Sequence, residues 1–186
     1  MSIPNTVKEK TCCFSGYRPH KFNFEFNKSD PKYIELESNI ISALLSSIEQ
    51  GYDTFLCGGA MGFDLLCGEL VLLIKERFPN IKLICVIPFS GQSKNFPAEW
   101  KERYDRITSQ CDSVYKISEK FSKACFHLRN FEMIYSSSRL ITYFTGRSGG
   151  TANTIALAQR EKLDIINIGP EKKNKVDSTI TYYVGH

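Results

Sequence analysis

The chain has 186 residues, of which 42% are apolar, and this size and composition fit one folded domain and exclude extended disorder. Its net charge of +4 is spread over mixed positive and negative residues. A nucleic-acid-binding protein usually has a clearer basic patch, so this class is the least favoured by the sequence.

The first ten residues lack the apolar stretch of a signal peptide, and no apolar run is long enough to span a bilayer. We therefore expect a cytoplasmic protein without membrane attachment. The seven cysteines form no C-x-x-C pair and stand mostly inside apolar runs, which predicts buried, reduced thiols. None of the three histidines has the spacing of a zinc site, so no metal is expected.

Short apolar segments alternate with amphipathic stretches along the chain. The apolar segments predict six strands, in chain order at 11–15, 53–57, 81–88, 113–117, 139–144 and 164–168. The amphipathic stretches predict helices between them, at 32–50, 62–78, 97–110, 122–137 and 150–162. This alternation predicts an α/β fold: a Rossmann-like three-layer α/β/α domain with a mainly parallel sheet of about six strands. We assign the domain to residues 11–170, between an N-terminal tail (1–10) and a C-terminal tail (171–186).

Ligands of open α/β sheets bind beyond the carboxyl ends of the strands, which directs attention to the loops there. The first such loop contains Gly16, Tyr17 and Arg18. Gly16 permits a sharp exit from the strand, and Arg18 offers a fork of donors for phosphate or carboxylate. Tyr17 could stack on a base. The other interpretation is an ordinary turn with an exposed arginine.

The second loop joins a strand to a helix and is rich in glycine, with Gly58, Gly59 and Gly62. Glycines in this position let backbone N–H groups approach a phosphate at the positive end of the helix. The spacing differs from the dinucleotide fingerprint G-x-G-x-x-G, so an NAD site does not follow from it. Asp64 either favours that helix end electrostatically or accepts hydrogen bonds from ribose hydroxyls.

Two later loops and one helix complete the candidate site. The loop after strand 81–88 mixes aromatic and amide groups that could flank a base or pack in the core, at Pro88, Phe89, Gln92, Phe96 and Trp100. The loop after strand 139–144 again leads into a helix, where Gly149, Gly150 and Thr151 could bind phosphate or cap the helix. Arg129 and Asn130, on the helix between these loops, face either the ligand or solvent.

Five segments, taken in chain order, carry a family resemblance: CCFSGYRPHKF, FLCGGAMGFDLL, VIPFSGQSKNF, HLRNFEM and SGGTANTIALA. They resemble the YpsA-like branch of the SLOG superfamily, which also holds phosphoribohydrolases and DNA-processing proteins. The resemblance implies a nucleotide-derived ligand such as ADP-ribose or an NAD-related molecule, no required cofactor, and a homodimer or higher oligomer. By matching motif it implies the ligand-binding residues Gly16, Arg18, Gly59, Gly62, Asp64, Gln92, Gly149, Gly150 and Thr151.

One departure from the superfamily pattern bears on activity. The phosphoribohydrolase motif ends in a glutamate that serves catalysis, and Thr154 stands at that position here. Asp64 is then the one evident carboxylate near the predicted site, and general acid–base catalysis needs a titratable group within reach. The sequence therefore favours a cytoplasmic regulator that binds a nucleotide-derived molecule and acts on a separate protein effector. The alternatives are a nucleotide N-glycosidic hydrolase using Asp64 and a DNA-binding protein.

Overall fold

The computed structural model describes residues 3–170 and the backbone of residues 180–182. Within them, strands and α-helices alternate along the chain. The strands are β1 (Thr11–Ser15), β2 (Thr54–Cys57), β3 (Lys82–Ile87), β4 (Ser113–Lys116), β5 (Arg139–Thr142), β6 (Asp164–Asn167) and β7 (Ile180–Tyr182). The helices are α1 (Pro31–Glu49), α2 (Phe63–Lys75), α3 (Ala98–Gln110), α4 (Cys125–Tyr135) and α5 (Gly150–Arg160).

The strands form one sheet in the order β4-β3-β2-β1-β5-β6-β7, and every neighbouring pair is parallel. Helices α1, α2 and α3 pack beside one another, whereas α4 packs against α5. Two buried apolar clusters separate accordingly, one beneath each group of helices. The predicted three-layer Rossmann-like fold is therefore confirmed. The sheet has a seventh strand, β7, contributed by the segment that the sequence analysis treats as a tail.

Local signals explain why these elements form where they do. Asp30 caps α1 by accepting a hydrogen bond from the Lys32 N–H, and Pro31 occupies the first turn, where its missing N–H costs nothing. Gly51, with φ of +91°, follows the end of the same helix. Strand β3, which lies between two neighbouring strands, has five of its six residues buried, as its continuous apolar run predicts.

The segment before β1 and the cysteines add to the core. Ile3 is buried against the α4 and α5 side of the sheet, and its N–H donates to the Ser136 hydroxyl. All seven cysteines are free thiols and six are buried, as predicted. No helix in the described part of the chain has the length and apolar character needed to cross a membrane.

The strand order creates one switch point. From β1 the chain adds β2, β3 and β4 on one side, and β5 and β6 then extend the sheet on the other side. The loops that leave β1 and β5 must therefore turn to opposite faces of the sheet. They open a crevice between the carboxyl ends of these two strands, where doubly wound sheets bind their ligands.

Candidate functional site

A crevice of about 210 Å³ lies at this switch point, and we call it the switch-point crevice. It is formed by the loops after β1 and β2, the inner face of α4 and the first turn of α5. Eight of the residues predicted from sequence line it: Gly16, Tyr17, Arg18, Asp64, Arg129, Asn130, Gly150 and Thr151. Four chain segments that are distant in sequence therefore meet in one site.

A buried ion pair lies in the wall of the crevice. The Arg129 Nη1 is 3.4 Å from the Asp64 Oδ2, and both side chains are more than nine-tenths buried. The Arg129 Nε has no hydrogen-bond partner among the described residues. α4 therefore directs Arg129 into the crevice rather than toward solvent. A buried guanidinium with a free donor is suited to an anionic ligand.

Burial raises the pKa of the Asp64 carboxyl above its usual value. Arg129, Arg18 and a hydrogen bond from the Ala60 backbone oppose this rise by favouring the charged form. Burial likewise lowers the pKa of the Arg18 guanidinium, which Asp64 partly offsets. The pKa of Arg18 starts so high that this side chain stays charged at neutral pH. Asp64 is thus both a partner of Arg129 and the one carboxylate among the residues that line the crevice.

The first turn of α5 forms the opposite wall. Gly149, with φ of +135°, precedes the helix, and the Thr151 hydroxyl donates to the Gly16 carbonyl oxygen. This bond ties the loop after β1 to the start of α5, so Thr151 does not cap its own helix. One turn further, the Asn130 amide donates to the Thr154 hydroxyl. Thr154, which replaces the glutamate of the phosphoribohydrolase motif, therefore joins α5 to α4.

Tyr17 is not available to stack on a base, which corrects the expectation from sequence. Its side chain is 2% exposed and packs edge-on against Phe22 and Tyr143. Its hydroxyl oxygen accepts hydrogen bonds from the N–H groups of Thr145 and Arg147. Tyr17 therefore connects the loop after β1 to the loop after β5.

The glycines of the second loop make close approaches to other groups of the protein. A Cβ on Gly62 would lie 2.5 Å from the Tyr17 carbonyl oxygen, which already accepts the Phe63 N–H at the start of α2. Gly62 thus permits a close approach between the second loop and the loop after β1. A Cβ on Gly58 would lie 1.5 Å from the Arg129 Nη1, so this glycine makes room for the guanidinium. Gly59, with φ of +64°, packs on Tyr104.

The third loop supports the second one and does not line the crevice. The Gln92 amide nitrogen donates to the carbonyl oxygens of Gly58 and Gly59. Phe96 packs edge-on against Tyr104, and Trp100 packs on Phe26. Two further predicted residues lie outside the crevice lining: Pro88, which is buried, and Phe89, which contacts Phe126. Gly149 also lies outside it.

Five lining residues were not predicted: Phe14, Ser15, Lys21, Ala60 and Phe126. For two of them the sequence contains a feature that could have identified them as lining residues. Phe126 lies three residues before Arg129 on α4, and such a spacing brings side chains to the same helix face. Lys21 belongs to the same basic loop as Arg18. Ser15 and Ala60 lie within the first and second predicted loops but have small side chains without a binding signal, and Phe14 belongs to the buried strand β1.

Two larger depressions lie on the surface of α3 and between α1, α2 and α3, with volumes of about 620 and 380 Å³. Their charged groups are largely paired with each other. Arg103 and Arg106 both bind Glu69, and Lys101 binds Asp105. Neither depression is lined by a residue of α4 or α5, so neither lies at the switch point between β1 and β5. We therefore regard the switch-point crevice as the candidate site. Among residues 3–170, no cluster of His, Cys, Asp or Glu is arranged to hold a metal ion.

Two solved structures share this fold. DNA processing protein A from Helicobacter pylori, described for its single-stranded DNA binding mode, aligns with 94% of this chain and 75% of its own, with a TM-score of 0.64 and 19% identity. DNA processing protein A from Streptococcus pneumoniae aligns with 89% of this chain and 52% of its own, with a TM-score of 0.59. At such identity the likeness establishes the fold.

Comparison of the sequences establishes the family as well as the fold. The SPβ prophage-derived protein YoqJ of Bacillus subtilis is 28% identical over 172 residues, covering 84% of this chain and 99% of its own length. A UPF0398 protein of Bacillus cereus is 27% identical over 161 residues and covers 85% of this chain and 86% of its own. The sequence profile of the YspA SLOG family matches residues 12–165. The resemblance seen in the sequence is thereby confirmed, and the chain belongs to the YspA SLOG family.

Proposed function

We propose that the switch-point crevice binds the phosphate of a nucleotide. One observation carries the proposal: Arg129 lines the crevice, is 6% exposed, and keeps an Nε without a partner among the described residues. A buried donor left without an acceptor costs about 1–3 kcal/mol. A phosphate oxygen would remove this cost, because the planar guanidinium matches phosphate geometry.

The start of α5 supports the same ligand from the other side. Gly150 and Thr151 line the crevice, and the first N–H groups of an α-helix have no acceptor within the helix. Such N–H groups and the positive end of the helix dipole favour an anion. Arg18, Lys21 and Arg129 line the crevice against the single carboxylate of Asp64, so basic groups outnumber acidic ones. This excess of positive charge suits a phosphate.

We propose binding rather than turnover as the activity of the site. The Asp64 carboxylate is engaged by Arg129 and by a backbone N–H, and Thr154 offers no second carboxylate. A glycosidic-bond hydrolase usually needs two carboxylic groups, one acting as acid and one as base or nucleophile. Hydrolysis remains the alternative in which Asp64 acts alone, and product analysis tests it.

The nucleotide has two candidate sources. A free ADP-ribose- or NAD-like molecule would make the protein a sensor that acts through a separate effector, with a homo-oligomer as its expected form. A nucleotide unit within single-stranded DNA is the other source. The fold shared with a protein described as binding single-stranded DNA supports this second source. We therefore rank it above the free nucleotide, although the modest charge of +4 made it the least favoured from sequence.

A binding panel on the purified protein separates these sources. Thermal unfolding would be followed with ADP-ribose, NAD, AMP, ADP, cyclic nucleotides and ribose 5-phosphate. A ligand at about 100 times its Kd adds about 2.7 kcal/mol, which raises the Tm by several degrees. Fluorescence anisotropy would follow a labelled single-stranded thymidine oligomer of about ten nucleotides at low and moderate salt. Chromatography of each ligand after incubation would detect breakdown.

Each outcome selects one interpretation. Salt-dependent binding of the oligomer without a shift from free nucleotides supports DNA as the source. A shift from one free nucleotide that stays intact supports the sensor, and breakdown products support the hydrolase. If neither the nucleotides, ribose 5-phosphate nor the oligomer binds, the proposed phosphate site is wrong.

Removing Arg18 is expected to weaken binding without unfolding the domain. Arg18 lines the crevice from a loop, and a hydrogen bond to a charged group contributes about 1.5–3 kcal/mol. Arg18→Ala should therefore weaken binding of the best ligand of the panel at least about tenfold, with the free energy of unfolding changed by less than about 0.5 kcal/mol. Titration calorimetry and urea unfolding measure the two quantities. Arg77→Ala, an exposed arginine beyond the far end of α2, is the matched control, and equal affinity in both variants would remove Arg18 from the site.

A further inference from the structure

Three phenylalanine rings form a cluster at one rim of the switch-point crevice, which we call the rim cluster: Phe89, Phe121 and Phe126. Phe126 lines the crevice itself. Its ring centroid is 6.0 Å from that of Phe89 and 6.5 Å from that of Phe121, and Phe89 lies 5.3 Å from Phe121. The cluster therefore leads without a break from the crevice to the protein surface, where it ends at Phe121.

Phe121 is exposed to an unusual degree for its size. Its exposed fraction is 63%, the highest among the large apolar side chains in the described residues. Water contact with an aromatic ring of this kind is unfavourable, and a large ring of this type is often found where it meets a partner. The rings of Phe89 and Phe126 support it from one side and leave the rest of its surface free.

The volume of the crevice indicates which part of a nucleotide would extend as far as Phe121. Sites that enclose a whole small-molecule ligand have volumes from about 300 Å³ upward. The switch-point crevice, at about 210 Å³, is smaller. With the phosphate between Arg129 and the start of α5, the remainder of the nucleotide must extend over a rim. The rim at Phe126 presents aromatic surface, which matches a base.

The loop that carries Phe121 is held in place before any ligand arrives. The Ser90 N–H donates to the Ser118 carbonyl oxygen, and the Ser90 hydroxyl donates to the Glu119 carboxylate. The Ser118 hydroxyl bonds both the N–H and the carbonyl oxygen of Lys120. A surface that is already ordered loses little entropy on binding. The exposed side chains of Lys120 and Lys123 flank Phe121 and add positive charge for a phosphate backbone.

We propose that Phe121 is a stacking platform for the base of the nucleotide whose phosphate occupies the switch-point crevice. This inference rests on the proposed phosphate site and adds the place where the base of that nucleotide binds, whether the nucleotide is free or within a strand. Aromatic side chains stack on any base, so the platform confers affinity rather than sequence preference. Phe126 then connects the base to the phosphate site.

The test compares probes that contain a base with probes that lack one. Wild type, Phe121→Ala and Phe121→Trp would be measured against AMP, ribose 5-phosphate, a thymidine oligomer and an abasic oligomer of the same length. We expect Phe121→Ala to weaken binding of AMP and the thymidine oligomer about tenfold, and to leave the two base-free probes unchanged. Phe121→Trp should retain or increase the affinity for the probes with a base. Phe78→Ala, an exposed phenylalanine just after α2, is the matched control for a general loss of aromatic surface.

Three results would overturn the inference, and they can be told apart. If Phe121→Ala binds AMP and the thymidine oligomer like wild type, or loses all four probes equally, the platform is wrong while the phosphate site stands. If wild type binds none of the four probes, the phosphate site fails and the platform fails with it.

Discussion

Arg129→Met should abolish nucleotide binding and lower the free energy of unfolding by about 3 kcal/mol at neutral pH. Arg129 and Asp64 are both more than nine-tenths buried, and their closest side-chain atoms are 3.4 Å apart. Methionine keeps the aliphatic volume but leaves the Asp64 carboxylate buried without its partner. Removing one member of a buried pair is costly for this reason, whereas exposed pairs contribute little. Urea unfolding and titration calorimetry give the two effects.

The destabilisation caused by Arg129→Met should depend on pH, and the direction of this dependence follows from the pKa of Asp64. Burial raises this pKa in the folded state, so the stability that the carboxyl contributes is present at low pH and lost as the pH rises through the folded-state pKa. Arg129 opposes the rise in the Asp64 pKa, so removing Arg129 raises this pKa further. The stability that the carboxyl contributes is then lost over a pH range that extends to higher pH. The destabilisation should therefore be smaller at about pH 5 than at about pH 7.

Two controls accompany this variant. Arg160→Met removes an arginine whose side chain is 67% exposed and should change the free energy of unfolding by less than about 0.5 kcal/mol. Asp64→Asn combined with Arg129→Met removes the unpaired charge and should restore part of the lost stability. An equal loss in Arg129→Met at both pH values, with no recovery in the double variant, would mean that Asp64 and Arg129 do not form an energetically coupled pair.

The elements of the fold could be predicted because their signals are local. The apolar run of β3 and the Asp30-Pro31 pair at the start of α1 act through neighbouring residues alone. Strand alternation then restricts the topology to a parallel sheet with helices on both faces. The carboxyl-end rule pointed to the loops after β1, β2, β3 and β5, and all of these except the loop after β3 lead into the crevice. β7 was missed because its segment is short and follows a polar stretch, and its pairing with β6 depends on the sheet edge.

The roles of individual side chains were harder to predict, because they depend on partners far along the chain. The Tyr17 hydroxyl accepts hydrogen bonds from the N–H groups of Thr145 and Arg147, which are 128 and 130 residues away along the chain. Gln92 donates to the second loop across 34 residues. The sequence predicts that such residues lie near a site, but it does not indicate whether they contact the ligand or support the residues that do. The glycines differ in role in the same way: some line the crevice, and others make room for another loop or side chain.

Gly58 illustrates this division and is the position where one methyl group should have the largest effect. Its φ is not in the left-handed region, so alanine can adopt its backbone conformation. The added Cβ would lie 1.5 Å from the Arg129 Nη1 and 2.7 Å from the Asp64 Oδ2. The guanidinium must therefore move away from Asp64. We expect Gly58→Ala to weaken nucleotide binding at least about tenfold and to lower the free energy of unfolding by about 1–3 kcal/mol.

A double-mutant cycle separates the clash with Arg129 from any other effect of the methyl group. In the Arg129→Ala background the guanidinium is absent and only the close approach to the Asp64 Oδ2 remains, so Gly58→Ala should lower the free energy of unfolding by clearly less than it does with Arg129 present. The difference between the two backgrounds measures the contact between Gly58 and Arg129, since the backbone strain and the loss of glycine flexibility are common to both. An equal loss in both backgrounds would mean that the methyl group meets something other than the guanidinium. A large difference would mean that the glycine after β2 serves to make room for the Arg129 guanidinium.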